Sequence, residues 1–272
     1  MKIYYINLNS DIERRQRMQG IFSSLNINAE RVEAIDGRTT SFPLKDKYQP
    51  PIESRDFFTR DLSNAEIACY LSHLKCMRQL LLDDDDWAFI MEDDIEISSK
   101  IIPLIRDVSW IPENIKLVQL SSTINLGKTI YHEKGCYKIN DCFKLIRIVK
   151  PISTGCLGYL IHKDIAQQLI NDSCYIKAPI DEILFAPYFG YVSLANQYSM
   201  IPCLIKPKEG MCSSIGKRSV GYGPYLNPYV WIRRRVNTLK KTFKKYISIK
   251  DKMSEIKASP KAGAILAELM AQ

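Results

Sequence analysis

The stretch WAFIMEDDIE, residues 87–96, runs from five apolar residues directly into three consecutive carboxylates, Glu92, Asp93 and Asp94. The apolar run predicts a buried β-strand, and like charges at the end of such a strand repel one another and are costly to desolvate. A compensating group is therefore expected beside them. In an open α/β sheet, ligands bind beyond the carboxyl ends of the strands, which is where this acidic triplet falls.

A divalent cation is one group that would compensate these charges. Hard carboxylate oxygens suit Mg²⁺ or Mn²⁺ carrying a diphosphate. On an extended chain Glu92 and Asp94 would point to one side and Asp93 to the other, so a bend after Met91 is needed to converge them. The alternative is a solvated strand end, but the apolar run leading into the triplet favours the cation. The run DDDD, residues 83–86, follows no apolar strand and is predicted to be a solvated turn.

The first 37 residues predict a strand, a helix and a second strand. KIYYINL, residues 2–8, has the pattern of a buried strand, and Ser10 and Glu13 would form a capping box at the start of the helix. AERVEAIDG, residues 29–37, predicts a strand that ends in an Asp-Gly turn. This order of elements is the start of a nucleotide-binding α/β sheet.

Helices and strands continue to alternate up to about residue 207. Residues 38–60 contain three prolines and predict a long loop. A second capping box, SNAE at residues 63–66, begins the strongest amphipathic helix. Further strands are predicted at 116–122, 144–149, 154–162 and 199–207, and short helices at 163–170 and 178–189. The alternation predicts a mixed or mostly parallel sheet with helices on both faces.

Composition limits the location and the cysteine chemistry. The chain has 272 residues, 46% of them hydrophobic, which suffices for one large α/β domain or two small ones. No run of about 20 apolar residues occurs, and the N-terminus lacks the pattern of a signal peptide, so a cytoplasmic location is expected. The eight cysteines are scattered, without a C-x-x-C pair or a cluster of histidines. We therefore expect reduced core cysteines, and neither a zinc site nor a disulfide framework.

The net charge of +8 is concentrated near the C-terminus. Residues 229–252 contain three arginines and six lysines against Asp251, interleaved with Trp231, Phe243 and Tyr246. This pattern predicts a basic amphipathic helix that lies on an anionic membrane surface. A helix packed back on the domain, or a homodimer contact, is the alternative.

The predicted boundaries are therefore a domain at 1–228 and a tail at 229–272. A nucleic-acid partner is not expected, because no zinc finger, helix-turn-helix or RNP pattern accompanies the basic residues.

Several enzyme classes lose their main sequence support. The chain contains no Walker motif, no G-x-G-x-x-G, no H-E-x-x-H and no G-x-S-x-G. These absences argue against P-loop NTPases, dinucleotide oxidoreductases, zinc proteases and α/β-hydrolases. A metal-bound diphosphate leaves nucleotidyl transfer, phosphohydrolysis and glycosyl transfer open.

Six segments in a fixed order resemble glycosyltransferase family 25, the lipooligosaccharide-biosynthesis glycosyltransferases related to collagen galactosyltransferases. They are YYINLNSDIERR, VEAIDGR, LSNAEIACYLSHLKCMR, AFIMEDDIEI, TGCLGYLIHKDIA and PIDEIL, and the resemblance covers about residues 1–210. Ala65 and Ala68 stand where the family commonly has glycine, a mild departure.

The resemblance implies a GT-A-like fold, a divalent metal, a UDP-sugar donor that is usually UDP-galactose, and inversion at the anomeric carbon. The implied acceptor is a lipid-linked lipooligosaccharide or lipopolysaccharide saccharide. The acidic metal motif of the family maps onto Glu92, Asp93 and Asp94. Its donor-binding segments map onto Asn7, Leu8, Arg14, Arg15, Asp36, Gly37 and Arg38.

The resemblance also suggests roles for residues later in the chain. Inverting transfer needs a base on the acceptor hydroxyl, and Asp181 occupies the aspartate position of the family, with Glu182 as the second candidate. Asp181 could instead be a helix N-terminal acid that interacts with the helix dipole. Glu66 and His73 share a helix face and could contact the donor, or they could be a capping residue and a core histidine.

Three further residues have an open assignment. Asp36 could accept from ribose or uracil, or merely start a turn. Gly155 would permit close approach of a sugar or relieve crowding, and Gln197 is a weaker candidate for contact with donor or metal. Two other functions also stay open: a catalytically inactive nucleotide-sugar-binding module and a metal-dependent nucleotidyltransferase.

Overall fold

The structure is a computed structural model that describes residues 1–39, 48–49, 61–121, 130–150, 155–185 and 196–211. Its strands are β1 (Lys2–Asn7), β2 (Glu30–Glu33), β3 (Trp87–Met91), β4 (Ile95–Ile97), β5 (Leu117–Gln119), β6 (Ile130–Lys138), β7 (Lys144–Lys150), β8 (Gly158–His162), β9 (Tyr198–Ile201) and β10 (Ile205–Pro207). Its α-helices are α1 (Ile12–Leu25), α2 (Asn64–Leu82), α3 (Ile102–Arg106), α4 (Lys163–Asp172) and α5 (Ile180–Phe185), with a 3-10 turn at Ser99–Ile101.

Eight strands form one mixed sheet in the order β2-β1-β3-β8-β5-β9-β7-β6. β1 pairs in parallel with β2 and β3, whereas β8 runs antiparallel to both β3 and β5. β9 is parallel to β5, and β7 and β6 add an antiparallel edge. β4 and β10 form a separate two-stranded antiparallel sheet.

Side chains alternate along the central strands and fill two cores. Tyr4 and Ile90 belong to the core under α2, α4 and α5. Tyr5, Phe89 and Met91 belong to the opposite core, where α1 contributes Met18 and Phe22 and α3 contributes Leu104 and Ile105. Because helices cover both faces, the prediction of a mixed sheet flanked by helices is confirmed.

Of the two predicted capping boxes, one is confirmed and the other is wrong. At the start of α2, Ser63 Oγ accepts from the Glu66 N–H over 3.2 Å and Glu66 Oε2 accepts from the Ser63 N–H over 2.9 Å, so the second box is confirmed. The first box is wrong: α1 is capped by Asp11, without a side-chain capping bond. Ser10 lies outside the helix, where its hydroxyl accepts from Arg38 Nη2 over 3.2 Å.

One other expectation needs correction. The strand predicted at 199–207 is divided between β9 and β10, which belong to different sheets, with Pro202 between them. The acidic run at 83–86 is a turn with Asp84 and Asp86 exposed, as predicted, and its side chains also make ion pairs. Its partners are Lys2, the N-terminal amine of Met1 and Lys163, which neighbouring elements bring to the same end of the sheet.

The basic tail lies outside the described residues, as do most of the predicted loop at 38–60 and the end of the helix predicted at 178–189. Within the described ranges, every helix is too short or too polar to cross a bilayer.

Candidate active site

A cavity lies at the edge of the sheet where β1, β2 and β3 end. Its empty volume is about 670 Å³, counting the open mouth. The parallel pairing of β1 with both neighbours brings the three carboxyl ends to this edge. The walls come from the end of β1, the loop after β2, the first half of α2 and the acidic turn after β3. The acidic triplet therefore lines a cavity and does not project into bulk solvent.

The loop after β2 approaches α2 so closely that only glycine fits at position 37. A Cβ added to Gly37 would lie 2.5 Å from the backbone oxygen of Asn64 and 2.8 Å from Cα of Ala65. Both atoms belong to the first turn of α2 and cannot move independently. Gly37 thereby sets how near the loop and the N-terminus of α2 stand at the mouth of the cavity.

Asp36, in the same loop, is bound to its own loop. Arg38 donates from its backbone N–H and from Nε to Asp36 Oδ1, and from Nη2 to Oδ2, over 2.7–2.9 Å. The Arg38 guanidinium lowers the pKa of the Asp36 carboxyl. Asp36 therefore starts a turn, as one of its two interpretations proposed, and it also lines the cavity.

Asp93 is held by protein groups from the first strand and first helix. Arg14 Nη1 donates to Asp93 Oδ1 over 2.8 Å, and Asn7 Nδ2 donates to Oδ2 over 2.6 Å. Arg17 donates to the backbone carbonyls of Asp93 and Ile95 over 2.6 and 2.8 Å. Both carboxylate oxygens of Asp93 have partners, so Arg14 balances the charge of this residue.

Asp94 is the member of the triplet with an unsatisfied atom. Its Oδ1 is buried and has no hydrogen-bond partner among the described residues, while Oδ2 lies 4.0 Å from Arg14 Nη1. Burial and then the charge of Glu92 raise the pKa of Asp94 to about 6. Asp94 lines the cavity, but its Oδ1 has less than 1 Å² of exposed surface, so a ligand would reach this oxygen only after a movement of the side chain.

Glu92 lies in a cluster that the sequence did not predict. The Cys156 thiol donates to Glu92 Oε1 over 3.0 Å, and His73 Nε2 lies 3.6 Å from the same oxygen. With Cys69, these residues bring four potential metal-ligating atoms within 4.8 Å of one another. The sequence predicted reduced core cysteines, and both Cys69 and Cys156 are free thiols. Their grouping with His73 and Glu92 was not predicted, because the fold joins segments that are distant in sequence.

His73 is buried and oriented by a tyrosine. Its Nδ1 lies 2.9 Å from Tyr159 Oη, and Nε2 faces the cluster. Burial by itself lowers the pKa of His73, but hydrogen bonds and charges from Cys69 and Glu92 outweigh burial and raise the pKa to about 9. His73 also lines the cavity.

The cavity brings together about half of the residues that the sequence singled out. The lining includes Leu8, Arg14, Asp36, Gly37, His73, Glu92, Asp93 and Asp94. Asn7 is buried directly behind Asp93. The residues outside the described lining are Arg15, Glu66, Gly155, Gln197, Asp181 and Glu182.

The residues outside the lining have local contacts. Glu66 completes the capping box of α2. Burial raises the pKa of Tyr5, and the charges of Arg31 and then Arg15 offset only part of this rise, which places Arg15 near Tyr5. The Gly155 carbonyl accepts from Gln119 Nε2 over 2.8 Å. Gln197 Nε2 donates to the carbonyl of Tyr198 over 3.0 Å, at the amino end of β9.

Asp181 lies in the first turn of α5 and is 3% exposed. Its Oδ1 accepts from the Glu182 N–H over 3.0 Å, which is the helix N-terminal contact that the sequence offered as an alternative. Its charge also contributes to raising the pKa of Cys156. Asp181 is therefore near Cys156, but it is not among the described residues that line the cavity.

Sequence reasoning missed three residues of the site: Cys69, which lines the cavity, and Cys156 and Tyr159, which contact the lining residues Glu92 and His73. A local signal existed for the first, because Cys69 and His73 are four residues apart and share a helix face. Ser72 also lines the cavity, and its Oγ accepts from the Ile35 N–H over 2.9 Å and so ties the loop after β2 to α2.

The acidic turn fits a hard divalent cation in part. Asp94 supplies an unpartnered carboxylate oxygen, the donor type that Mg²⁺ and Mn²⁺ prefer. Asp93 has no free oxygen while Arg14 and Asn7 are bound to it. Glu92 is engaged with Cys156 and His73. Asp94 is therefore the residue that would hold such a cation, with Asp93 positioning the turn.

Known proteins resemble this chain in sequence. Lipooligosaccharide biosynthesis protein lic2B of Haemophilus influenzae is 24% identical over 191 residues, which cover 67% of this chain and 68% of that protein. Procollagen galactosyltransferase 2 of Homo sapiens is 26% identical over 196 residues, which cover 69% of this chain and 30% of that protein.

A solved glycosyltransferase involved in the glycosylation of the major capsid of PBCV-1 aligns with 79% of this chain and 94% of its own, with a TM-score of 0.39 and 12% identity. The model of glycosyltransferase family 25 (LPS biosynthesis protein) matches residues 1–184, more than half of the chain. The chain therefore belongs to glycosyltransferase family 25.

Proposed function

We propose that the protein is an inverting glycosyltransferase that transfers a hexose from a UDP-sugar to a saccharide acceptor of lipooligosaccharide or lipopolysaccharide. Family membership supports glycosyl transfer, and the name of the Haemophilus influenzae relative supports this class of acceptor. Galactose is the first donor sugar to test, because relatives in animals are named procollagen galactosyltransferases.

One observation carries the proposal: a single cavity at the carboxyl edge of the sheet is lined by the loop of Asp36 and Gly37 and by Asp94, whose buried Oδ1 has no partner among the described residues. A nucleotide diphosphate needs both a neutralising site for its phosphates and a close backbone approach for its nucleoside. The acidic turn and the glycine-containing loop provide surfaces of these two kinds within one cavity.

A divalent cation at Asp94 would neutralise charge on the departing diphosphate, which is the chemistry that such an ion supplies. Asp93 keeps the turn in place through Arg14 and Asn7. Gly37 lets the loop that lines the cavity pack directly against the first turn of α2. Both carboxylate oxygens of Asp36 already accept from Arg38, so Asp36 would accept from ribose or uracil only through lone pairs that Arg38 leaves unused.

Transfer itself would be a single in-line displacement. The acceptor hydroxyl oxygen forms a bond to the anomeric carbon, the bond from that carbon to the UDP oxygen breaks, and the hydroxyl proton passes to a carboxylate base. Asp181 stays the predicted base, with Glu182 as the alternative. Asp181 would have to be reached from the side of Cys156, since it does not belong to the described cavity wall.

The basic segment 229–252 is proposed to hold the enzyme at an anionic membrane surface on the cytoplasmic side, where a lipid-linked acceptor is exposed. Its charge pattern supports this proposal. Sedimentation of the full chain with vesicles of phosphatidylglycerol and phosphatidylcholine tests it. Equal binding to vesicles of phosphatidylcholine alone would refute an electrostatic contact.

Incubation of the full chain with Mn²⁺ and individual UDP-sugars tests the catalytic proposal. We expect slow release of UDP from one sugar nucleotide, accelerated by a lipooligosaccharide acceptor, with a product of inverted anomeric configuration. Release of pyrophosphate would instead indicate nucleotidyl transfer. Binding of every tested UDP-sugar without turnover, with and without acceptor, would indicate an inactive binding module.

A further inference from the structure

Four side chains from three separate segments converge beside the cavity, which three of them, Cys69, His73 and Glu92, also line. Cys69 and His73 are one turn apart on α2, Glu92 follows β3, and Cys156 precedes β8. The backbone also joins two of these segments, because the Glu92 N–H donates to the Leu157 carbonyl over 3.0 Å. The convergence therefore follows from the sheet register and from one helix face, and it does not depend on a single flexible side chain.

We propose that Cys69, His73, Glu92 and Cys156 bind one Zn²⁺ ion as a closed structural site, separate from the cation site at Asp94. This site does not depend on the proposed glycosyl transfer, because its evidence is the arrangement of the four ligands. It also differs in chemistry from the acidic turn, where only oxygen ligands are offered.

The distances between the ligand atoms are close to those of a tetrahedral zinc site. Bond lengths of about 2.3 Å to sulfur and about 2.0–2.1 Å to nitrogen and oxygen place tetrahedral ligand atoms about 3.4–3.8 Å apart. His73 Nε2 lies 3.6 Å from both Cys156 Sγ and Glu92 Oε1. Cys156 Sγ and Glu92 Oε1 are 3.0 Å apart, and every ligand pair lies within 4.8 Å. Small side-chain shifts are enough to enclose the ion.

The histidine is already oriented as zinc-bound histidines usually are. Such histidines bind the metal through one ring nitrogen and donate from the other to a fixed polar group. His73 Nδ1 is 2.9 Å from Tyr159 Oη, and the two rings stack with centroids 5.7 Å apart. Tyr159 is fully buried. It would fix the tautomer in which Nε2 is free to bind the ion.

Ligand softness distinguishes this ion from Mg²⁺ or Mn²⁺. Two thiolates and an imidazole favour Zn²⁺, whereas carboxylate and water ligands favour the harder ions. Four protein ligands leave no open position for a reacting water, which is typical of structural sites. The ion would join α2 to the end of β3 and to the segment before β8, and Glu92 would thereby fix the turn that contains Asp93 and Asp94.

Metal analysis of the full chain, purified with a reductant and without chelator, gives the first test. We expect one zinc per chain. After the zinc has been removed with a chelator, Co²⁺ should give thiolate-to-cobalt charge-transfer absorption and the intense visible bands of tetrahedral coordination, and Zn²⁺ should displace it while Mn²⁺ does not. Absence of bound zinc, or a cobalt spectrum without thiolate bands, would overturn the proposal.

Variants locate the ion. Cys69→Ser and Cys156→Ser should each lose the zinc and the cobalt spectrum. Cys76→Ser is the matched control, because Cys76 is also buried on α2 but lies outside the cluster; it should keep one zinc per chain even if the fold is less stable. Loss of zinc from Cys76→Ser to the same extent as from Cys69→Ser would contradict the assignment.

A further variant keeps the test valid should the cysteine variants fail to fold. Tyr159→Phe retains the buried ring and all four ligands but removes the hydrogen bond to His73, so zinc affinity should fall by about 10- to 100-fold. Tyr70→Phe is the control, because Tyr70 is also a buried tyrosine but lies on α2 and outside the cluster; this change should leave the zinc affinity unchanged. Equal affinities of the wild type and Tyr159→Phe, or a Cys69–Cys156 disulfide with no metal in the protein as isolated, would refute the site.

Discussion

Arg14 Nη1 lies 2.8 Å from Asp93 Oδ1, in an ion pair whose side chains are 15% and 9% exposed. The pair joins the first helix to the acidic turn after β3. The pair also explains in part how three adjacent carboxylates are tolerated at a strand end. The Arg14 guanidinium balances Asp93, the Cys156 thiol donates to Glu92, and one oxygen of Asp94 has no partner within the described part of the chain. Each of the three carboxylates in this turn therefore has a different set of contacts.

Removing Arg14 should destabilise the fold. Arg14→Leu leaves Asp93 buried without its ionic partner, and the loss of one member of a buried pair costs about 3–5 kcal/mol in free energy of unfolding. Urea denaturation measures the loss. Arg15→Leu is the control on the same helix and should change the free energy of unfolding by about 0.5 kcal/mol or less. Similar losses in both variants would show that the helix, and not the ion pair, is responsible.

Adding one methyl group at Gly37 should disturb the mouth of the cavity. In Gly37→Ala the new Cβ would meet the Asn64 backbone at 2.5 Å, so the loop must move away from α2. We expect a loss of about 1–3 kcal/mol in free energy of unfolding and weaker binding of UDP, measured by calorimetry.

Gly20→Ala provides the contrast to Gly37→Ala. Gly20 is in α1 with no atom within 4 Å of an added Cβ, so its change to alanine should stabilise the protein by about 0.5–1 kcal/mol. Unaltered UDP affinity in Gly37→Ala would mean that the loop does not border the nucleotide.

Asp94→Asn should stabilise the metal-free protein, with a gain that depends on pH. Burial and the charge of Glu92 raise the pKa of Asp94 from its ordinary value of 3.8 to about 6, so between these pH values the folded protein binds more protons than the unfolded chain. Wild-type stability therefore falls as the pH rises from about 4 to 7. The free energy of unfolding of Asp94→Asn should equal that of the wild type near pH 4 and exceed it by up to about 3 kcal/mol at pH 8.

Mn²⁺ should reverse this order. The ion should raise the melting temperature of the wild type at pH 8 and leave that of Asp94→Asn unchanged, because the variant lacks the carboxylate charge that holds the ion. Thermal denaturation with and without Mn²⁺ measures both effects. An equal response of the two proteins to Mn²⁺ would remove Asp94 from the cation site.

The predicted base can be separated from its neighbour by kinetics. If Asp181 takes the acceptor proton, Asp181→Asn should lower kcat by about 10²- to 10⁴-fold while the KM for the UDP-sugar changes little. The same loss in Glu182→Gln alone would transfer the role to Glu182. Asp107→Asn is the control for a change of aspartate to asparagine. Asp107 is exposed, and its carboxylate accepts from the backbone N–H and the hydroxyl of Ser109. Full activity of both Asp181→Asn and Glu182→Gln would exclude this segment as the source of the base.

Local patterns in the sequence were sufficient for much of the fold. The opening strand, helix and strand, the capping box of Ser63 and Glu66, and the acidic turn after a buried strand all follow from interactions between residues close in the chain. Local patterns were insufficient where chain neighbours separate in space. Pro202 ends one strand of the large sheet, and the next strand, β10, pairs with β4.

By itself, the sequence determined which segments are buried, where the carboxylates are placed along the chain and, through six ordered motifs, the family. Only the tertiary structure decided how those carboxylates are used, because the partners of Asp93 and Glu92 come from residues 7 and 14 and from residues 73 and 156. Charge balance and ligand geometry depend on distances between elements, and these distances are set by strand order and helix packing, which no local pattern contains.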